Sequence, residues 1–170
     1  MRIVIFGRPG SGKSTFAVNL GAKTGTPVYH LDKYFFDDHW RERNTEDFMR
    51  DQHEIVSKES WIIDGNSLRS LDIRYAKADA VIYFYLPFYL CLFRTFKRFF
   101  IKDVRIDDRA ENCHEKVSWK LVKYMRSFEE RAQKELMVLR KKYPKIRFYE
   151  VRSDEEAIEL MTTLTSRASK

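Results

Sequence analysis

Gly7-Arg8-Pro9-Gly10-Ser11-Gly12-Lys13-Ser14 puts three glycines, a lysine and a serine hydroxyl into eight consecutive residues. It fits G-x-x-x-x-G-K-[ST] at every fixed position. The chemistry accounts for the spacing. The glycines let the backbone turn tightly and aim successive N–H groups at one anion. A helix beginning near Gly12 adds the positive end of its dipole at the same point. Lys13 can reach β- and γ-phosphates, and the Ser14 hydroxyl can ligate Mg²⁺. The whole run from Gly7 to Thr15, Arg8, Pro9 and Ser11 included, is therefore the expected nucleotide-binding loop, with ATP and Mg²⁺ as cofactors. The competing reading, a flexible surface loop with a fortuitous lysine, leaves the apolar run that feeds it unexplained.

Two carboxylates complete the candidate chemistry. Asp64 follows the apolar run Trp61-Ile62-Ile63 and precedes Gly65 and Asn66. An acid there suits a Mg²⁺-bound water beside Ser14. Gly65 would allow close approach and Asn66 would position substrate, although Asp-Gly is also an ordinary turn. Asp32 ends the run Val28-Tyr29-His30-Leu31. Ligands of open parallel sheets bind outside the carboxyl ends of the strands. Asp32 can therefore take a proton from a substrate hydroxyl, hold substrate or a metal-bound water, or simply cap a turn. Trp40, Arg41 and Arg43 could stack on and pair with a phosphorylated or aromatic substrate, or sit on a solvated loop. Arg98, Arg105 and Arg109, with Arg94 less directly, are candidates to neutralise a transferring phosphoryl group from a mobile lid. Otherwise they belong to a charge-mixed surface segment.

Elements of two periods position these groups. Arg2 to Phe6, Trp61 to Asp64 and Ala80 to Leu86 read as strands covered on both faces, as does Val28 to Leu31. Helices are expected after the glycine loop, with Phe16 and Leu20 facing the sheet, and from an N-cap at Thr45 to about Lys58. A short helix is expected over Leu68 to Tyr75, carrying Arg69 and Arg74. Another follows Pro87, with Leu90, Phe93, Phe96 and Phe100 toward the core. Val117, Leu121, Met125, Phe128, Ala132, Leu136 and Leu139 recur at helical spacing, which predicts one long amphipathic helix ending at Tyr143-Pro144. Ile146 to Val151 reads as the last strand, and Ser153 to Glu156 as the capping box of the last helix. Asp32 to Asn44 lacks periodicity and reads as an irregular arm.

Alternating strands and helices predict an α/β fold, a parallel sheet with helices on both faces. The 170 residues suit one domain, with a substrate arm at about 32–60 and a lid at about 99–116. Hydrophobic residues at 44% exclude general disorder. A net charge of +7 points to anionic partners, either phosphate-bearing small molecules or nucleic acid. Cys91 and Cys113, the two cysteines, form neither a disulfide framework nor a zinc set. The apolar run Ala80 to Phe93, about fourteen residues with Pro87 inside it, falls short of the roughly twenty that span a bilayer. With a core strand at the start and no signal peptide, a cytoplasmic protein without membrane partners is expected.

The stretches GRPGSGKST, HLD at Asp32, WIIDGN around Asp64, and CLFRTFKRF leading to RAENCHEK resemble the DNA-topology-modulation, or FlaR-like, proteins. These are themselves similar to adenylate kinase and other nucleoside monophosphate kinases. The resemblance covers nearly the whole chain. It implies a P-loop three-layer α/β/α fold with a five-stranded parallel sheet in the order 2-3-1-4-5, an ATP site at the glycine loop and a closing lid. It also implies that Asp64-Gly65-Asn66 occupies the place of an Asp-Gly-Phe-Pro-Arg segment whose last three residues are absent here. The lid lacks a paired-cysteine zinc site, which leaves Cys113 and His114 structural or incidental. The expected reaction is phosphoryl transfer from Mg·ATP to a small acceptor that the sequence does not name. A nucleotide-responsive DNA-binding regulator and an NTPase without acceptor are the alternatives.

Overall fold

The computed structural model describes residues 1–37, 41–100 and 118–168. The strands are β1 (Arg2–Gly7), β2 (Val28–His30), β3 (Phe36–Asp37), β4 (Arg41–Glu42), β5 (Trp61–Asp64), β6 (Ala80–Phe84) and β7 (Arg147–Val151). The helices are α1 (Lys13–Thr24), α2 (Asp32–Phe35), α3 (Thr45–Ser57), α4 (Leu71–Tyr75), α5 (Phe88–Phe100), α6 (Trp119–Lys142) and α7 (Asp154–Ala168). Five strands form one sheet in the order β2-β5-β1-β6-β7, and every pairing in it is parallel. No helix among the described residues is long and apolar enough to cross a membrane.

Alternate side chains of the strands feed two cores. On one face Val4, Phe6, Trp61, Ile63, Val81 and Tyr83 pack with Phe48 of α3, Leu71 and Tyr75 of α4, and Phe128, Leu136 and Leu139 of α6. On the other, Ile3, Ile5, Ile62, Ile82 and Phe84 pack with Phe16 and Leu20 of α1, Cys91 of α5 and Leu164 of α7. The sheet is thus buried on both sides. That is why its strands read as unbroken apolar runs. The long-helix stripe is buried from Met125 to Leu139.

Several expectations are corrected. Residues 32–37 and 41–44 are ordered by local chemistry. Leu31 carbonyl accepts from Tyr34 and Phe35 N–H, which closes α2. β3 and β4 then form an antiparallel ribbon, and Phe35 packs edge-on against Phe36 and Phe48. The cap of α3 is Asn44 rather than Thr45, because the Asn44 side chain accepts the Glu46 N–H at 2.8 Å. The short helix begins only at Leu71, leaving Arg69 exposed and Arg74 buried. The largest correction concerns α5. Phe93 is 65% exposed and Phe96 45%, with Leu90 also exposed, while Cys91 and Thr95 face the core. Residues 101–117, most of the expected lid and the start of the long-helix stripe at Val117, lie outside the described residues, as does Trp40.

These placements make a paired prediction for urea denaturation. Phe128→Ala should cost about 3–5 kcal/mol through the cavity it leaves. Phe93→Ser, at a solvated position, should stay within about 0.5 kcal/mol. Equal losses at the two positions would mean that α5 buries its aromatic face after all.

Candidate active site

The glycine loop leaves the end of β1 in the middle of the sheet and enters α1. Its shape depends on atoms that are missing. A Cβ on Gly10 would lie 2.2 Å from the Cys91 carbonyl oxygen and 2.5 Å from Thr95 Oγ1, so the loop rests directly on α5. Gly12, at φ 90°, turns the chain into the helix through a conformation that residues with side chains rarely adopt. Ser11 N–H donates to Arg8 carbonyl at 3.1 Å, and Phe16 N–H to Gly12 carbonyl at 3.0 Å. Among the described residues, no side chain caps α1. Its first N–H groups are therefore available to an anion at the mouth of the loop. Lys13 and Ser14 are buried there, with Lys13 Nζ 3.4 Å from Ser14 Oγ.

Parallel pairing brings the acid to this mouth. Asp64 lies in register with Ile5 on one side and His30 on the other. Its Oδ2 accepts from His30 Nδ1 at 2.9 Å, and its Oδ1 lies 3.8 Å from Lys13 Nζ. Burial pushes this carboxyl up. The Lys13 charge, then the hydrogen bond and charge of His30, outweigh burial and hold it below the usual 3.8. The Ser14 hydroxyl is close enough to add to this pull, but among the described residues Oδ1 has no hydrogen-bond partner of good geometry. His30 was missed in the sequence. The signal available was that two strands of a parallel sheet end at His30 and Asp64.

Mg²⁺ is the ion that the loop motif implies, and the residues present fit it. Asp64 Oδ1 is a buried, orphaned anionic oxygen beside the Ser14 hydroxyl. Among the described residues, no group of three His, Cys, Asp or Glu side chains could hold a metal alone. That suits an ion completed by phosphate oxygens and water.

Over 99% of its length this chain matches a shikimate kinase from Aquifex aeolicus, covering 99% of that chain with TM-score 0.56 at 20% identity. The fold is like that of this kinase, a parallel five-stranded sheet between helical layers. A shikimate kinase from Acinetobacter baumannii, in complex with shikimate, matches with TM-score 0.53 at 14% identity, covering 100% of this chain and 96% of that one. A deoxyadenosine kinase from M. mycoides with bound dCTP matches with TM-score 0.54 at 17% identity, covering 98% and 100%. No family model matches the chain, and no curated protein matches it. At these identities the likeness carries the architecture alone.

Around the glycine loop the other candidate residues divide. Asp32 is the first residue of α2 and half-buried. Tyr124 of α6 is its neighbour and was not foreseen. Burial pushes the Tyr124 hydroxyl up to about 12, Arg131 opposes that, and the Asp32 charge adds to it. The same hydroxyl donates to Asn66 carbonyl at 3.4 Å, and Asn66 Oδ1 is buried without a partner among the described residues. Asp32, Asn66 and Tyr124 thus border one region beside Asp64.

Three of the candidate residues also have structural contacts of their own. A Cβ on Gly65 would meet the Leu31 side chain at 2.5 Å, so this glycine serves packing between strand ends. Arg43 Nη1 donates to Asp51 at 2.9 Å and to Tyr34 carbonyl at 2.8 Å, which ties the ribbon to α3. The Arg8 side chain turns into the protein. It donates to Met125 and Leu86 carbonyls, both at 2.9 Å, and to Glu129 at 2.7 Å.

On the remaining arginines, Arg94 pairs with Asp154 at 2.5 Å, and its Nη1 lies 4.0 Å from where a Cβ on Gly12 would stand. Arg98 is half-buried on the same helix, and Arg41 is exposed on β4. Arg105 and Arg109 lie outside the described residues. Arg74 is buried and donates to Gln52, Ser70 and Ser67 oxygens. Burial pulls it down to about 9, with Asp64 opposing, so it is a cation at neutral pH.

The depressed Asp64 carboxyl gives a signed prediction. A carboxylate held below its unfolded value contributes stability that is present above that value and lost as pH falls through the folded one. Asp64→Asn should therefore flatten the decline of urea midpoint as pH falls below about 4, relative to the parent chain. Parallel curves would show that Asp64 is not held in its ionised form.

Proposed function

We propose that this chain is a phosphotransferase that moves the γ-phosphoryl group of Mg·ATP to a small nucleotide, nucleoside or metabolite acceptor. The observation that carries the reading is the orphaned Asp64 Oδ1, buried beside Ser14 and Lys13 at the mouth of an uncapped glycine loop. The loop backbone and Lys13 hold the triphosphate. Ser14 would hold Mg²⁺ and Asp64 would hold its bound water; when bound, the ion would supply charge neutralisation for the phosphates. Asp32 orients the acceptor hydroxyl or takes its proton, with Asn66 and Tyr124 bordering the acceptor. Arg98, Arg105 and Arg109 are the side chains assigned to the charge on the transferring group, and Trp40 and Arg41 to the outer part of the acceptor site. The similar structures named as shikimate and deoxyadenosine kinases support a small acceptor.

The test is ADP formation from Mg·ATP across a panel of nucleoside monophosphates, nucleosides and small hydroxylated metabolites. Turnover that depends on one acceptor identifies the substrate. Lys13→Ala should then lower kcat by about a hundredfold or more. Alanine in place of whichever arginine meets the transferring group should cost about a thousandfold or more. Unchanged ATP binding and turnover in Lys13→Ala would overturn the assignment. ATP stabilisation without acceptor-dependent turnover would favour an NTPase or the DNA-binding regulator that the +7 charge leaves open. Duplex binding by such a regulator would weaken with salt at a log–log slope of about −0.9 per phosphate contact.

A further inference from the structure

Asp64 is fixed by two consecutive residues at the end of β2. Leu31 N–H donates to the Asp64 carbonyl at 2.8 Å, and the Leu31 side chain fills the space where Gly65 has no Cβ. One residue earlier, His30 Nδ1 holds Asp64 Oδ2 at 2.9 Å. Both side chains are buried, and the strand register sets them opposite each other. The carboxylate can only accept, so His30 donates through Nδ1.

The alternative arrangement is close at hand. Lys13 Nζ is already 3.8 Å from Oδ1. A buried carboxylate free to turn would gain by closing onto a buried ammonium, since attraction grows as separation and solvent screening fall. That closure would take Lys13 away from a phosphate and Oδ1 away from a metal shell. His30 opposes it by holding the other oxygen.

We propose that His30 is a positioning residue for Asp64. It anchors Oδ2, keeps Oδ1 presented beside Ser14, and prevents Lys13 from closing onto the carboxylate. This rests on the reading of Asp64 as the acid of a Mg·nucleotide site.

The test reads metal binding without turnover. The probe is Mn²⁺ added to the protein–ADP complex, followed through the EPR signal of the free ion. Partners that orient metal-site ligands typically contribute about tenfold or more in metal affinity. His30→Leu should weaken Mn²⁺ binding by about that factor. His30→Asn sets an amide nitrogen at the Nδ1 position and should retain the affinity. His30→Gln sets it farther out and should not. Parent-like affinity in His30→Leu would overturn the proposal. If His30→Leu fails to fold, the Asn and Gln variants decide, and equal affinities in those two would overturn it as well. If the parent chain gives ADP no added Mn²⁺ affinity, the metal reading of Asp64 fails and the role of His30 with it. Parent binding with unaffected variants would remove the His30 proposal alone.

Discussion

A carboxylate buried in a protein core is costly unless charges and donors surround it. Asp64 meets that condition through His30 at the end of β2 on one side and Lys13 and Ser14 in the first turn of α1 on the other. Much of the architecture follows from keeping those three together. The parallel order β2-β5-β1 aligns their carboxyl ends. Ile5 carbonyl accepts the Gly65 N–H at 3.1 Å, so the chain leaves Asp64 still attached to β1. An antiparallel neighbour on either side would bring an amino end to this place, and the constellation would not form.

The loop that supplies Lys13 is itself clamped on its outer side. Gly10 rests on the Cys91 carbonyl and Thr95 hydroxyl of α5, while Arg8 reaches past the end of β6 to carbonyls of Leu86 and Met125 and to Glu129. A charged side chain occupies a position the phosphate-binding pattern leaves free. It joins the P-loop to α6, the helix that follows the expected lid. Removing Glu129 would leave the buried Arg8 guanidinium without its counter-charge, at a cost in stability. Motion of α6 is therefore mechanically linked to the loop that would hold the phosphates.

How much of this was legible follows from the range of the interactions. The glycine loop, the buried strands and the stripe of α6 are local patterns of period and residue type, and each was readable. Asn44 displaced Thr45 as cap because both residues can cap and only geometry chooses. The facing of α5 was misread for a longer-range reason. FYLCLFRTFKRFF offers apolar residues on more than one side. The side that packs inward had to be small, since Gly10 approaches Cys91 and Thr95 within distances that exclude even a methyl group. The bulky aromatics were left to the outer side. His30, Tyr124 and the inward turn of Arg8 depend on partners 34, 58 and up to 121 residues away, which no local window contains.

Composition set the sign of the partners but not the place where they meet the protein. The buried cations supply that. Arg8 is matched by Glu129 and Lys13 faces Asp64. Arg74 donates to Gln52, Ser70 and Ser67 oxygens, all neutral, with Asp64 the carboxylate that acts on it from farther off. Among the described residues, one buried carboxylate thus faces two buried cations, and these groups together carry surplus positive charge. In a region of low dielectric such a surplus acts over longer distances than the same charge at the surface. It favours an anion at the mouth of the loop, where the uncapped end of α1 already points. The chain's excess of lysine and arginine therefore has a local counterpart at the carboxyl ends of β1 and β5, which is where a phosphate-bearing ligand of a P-loop fold would lie.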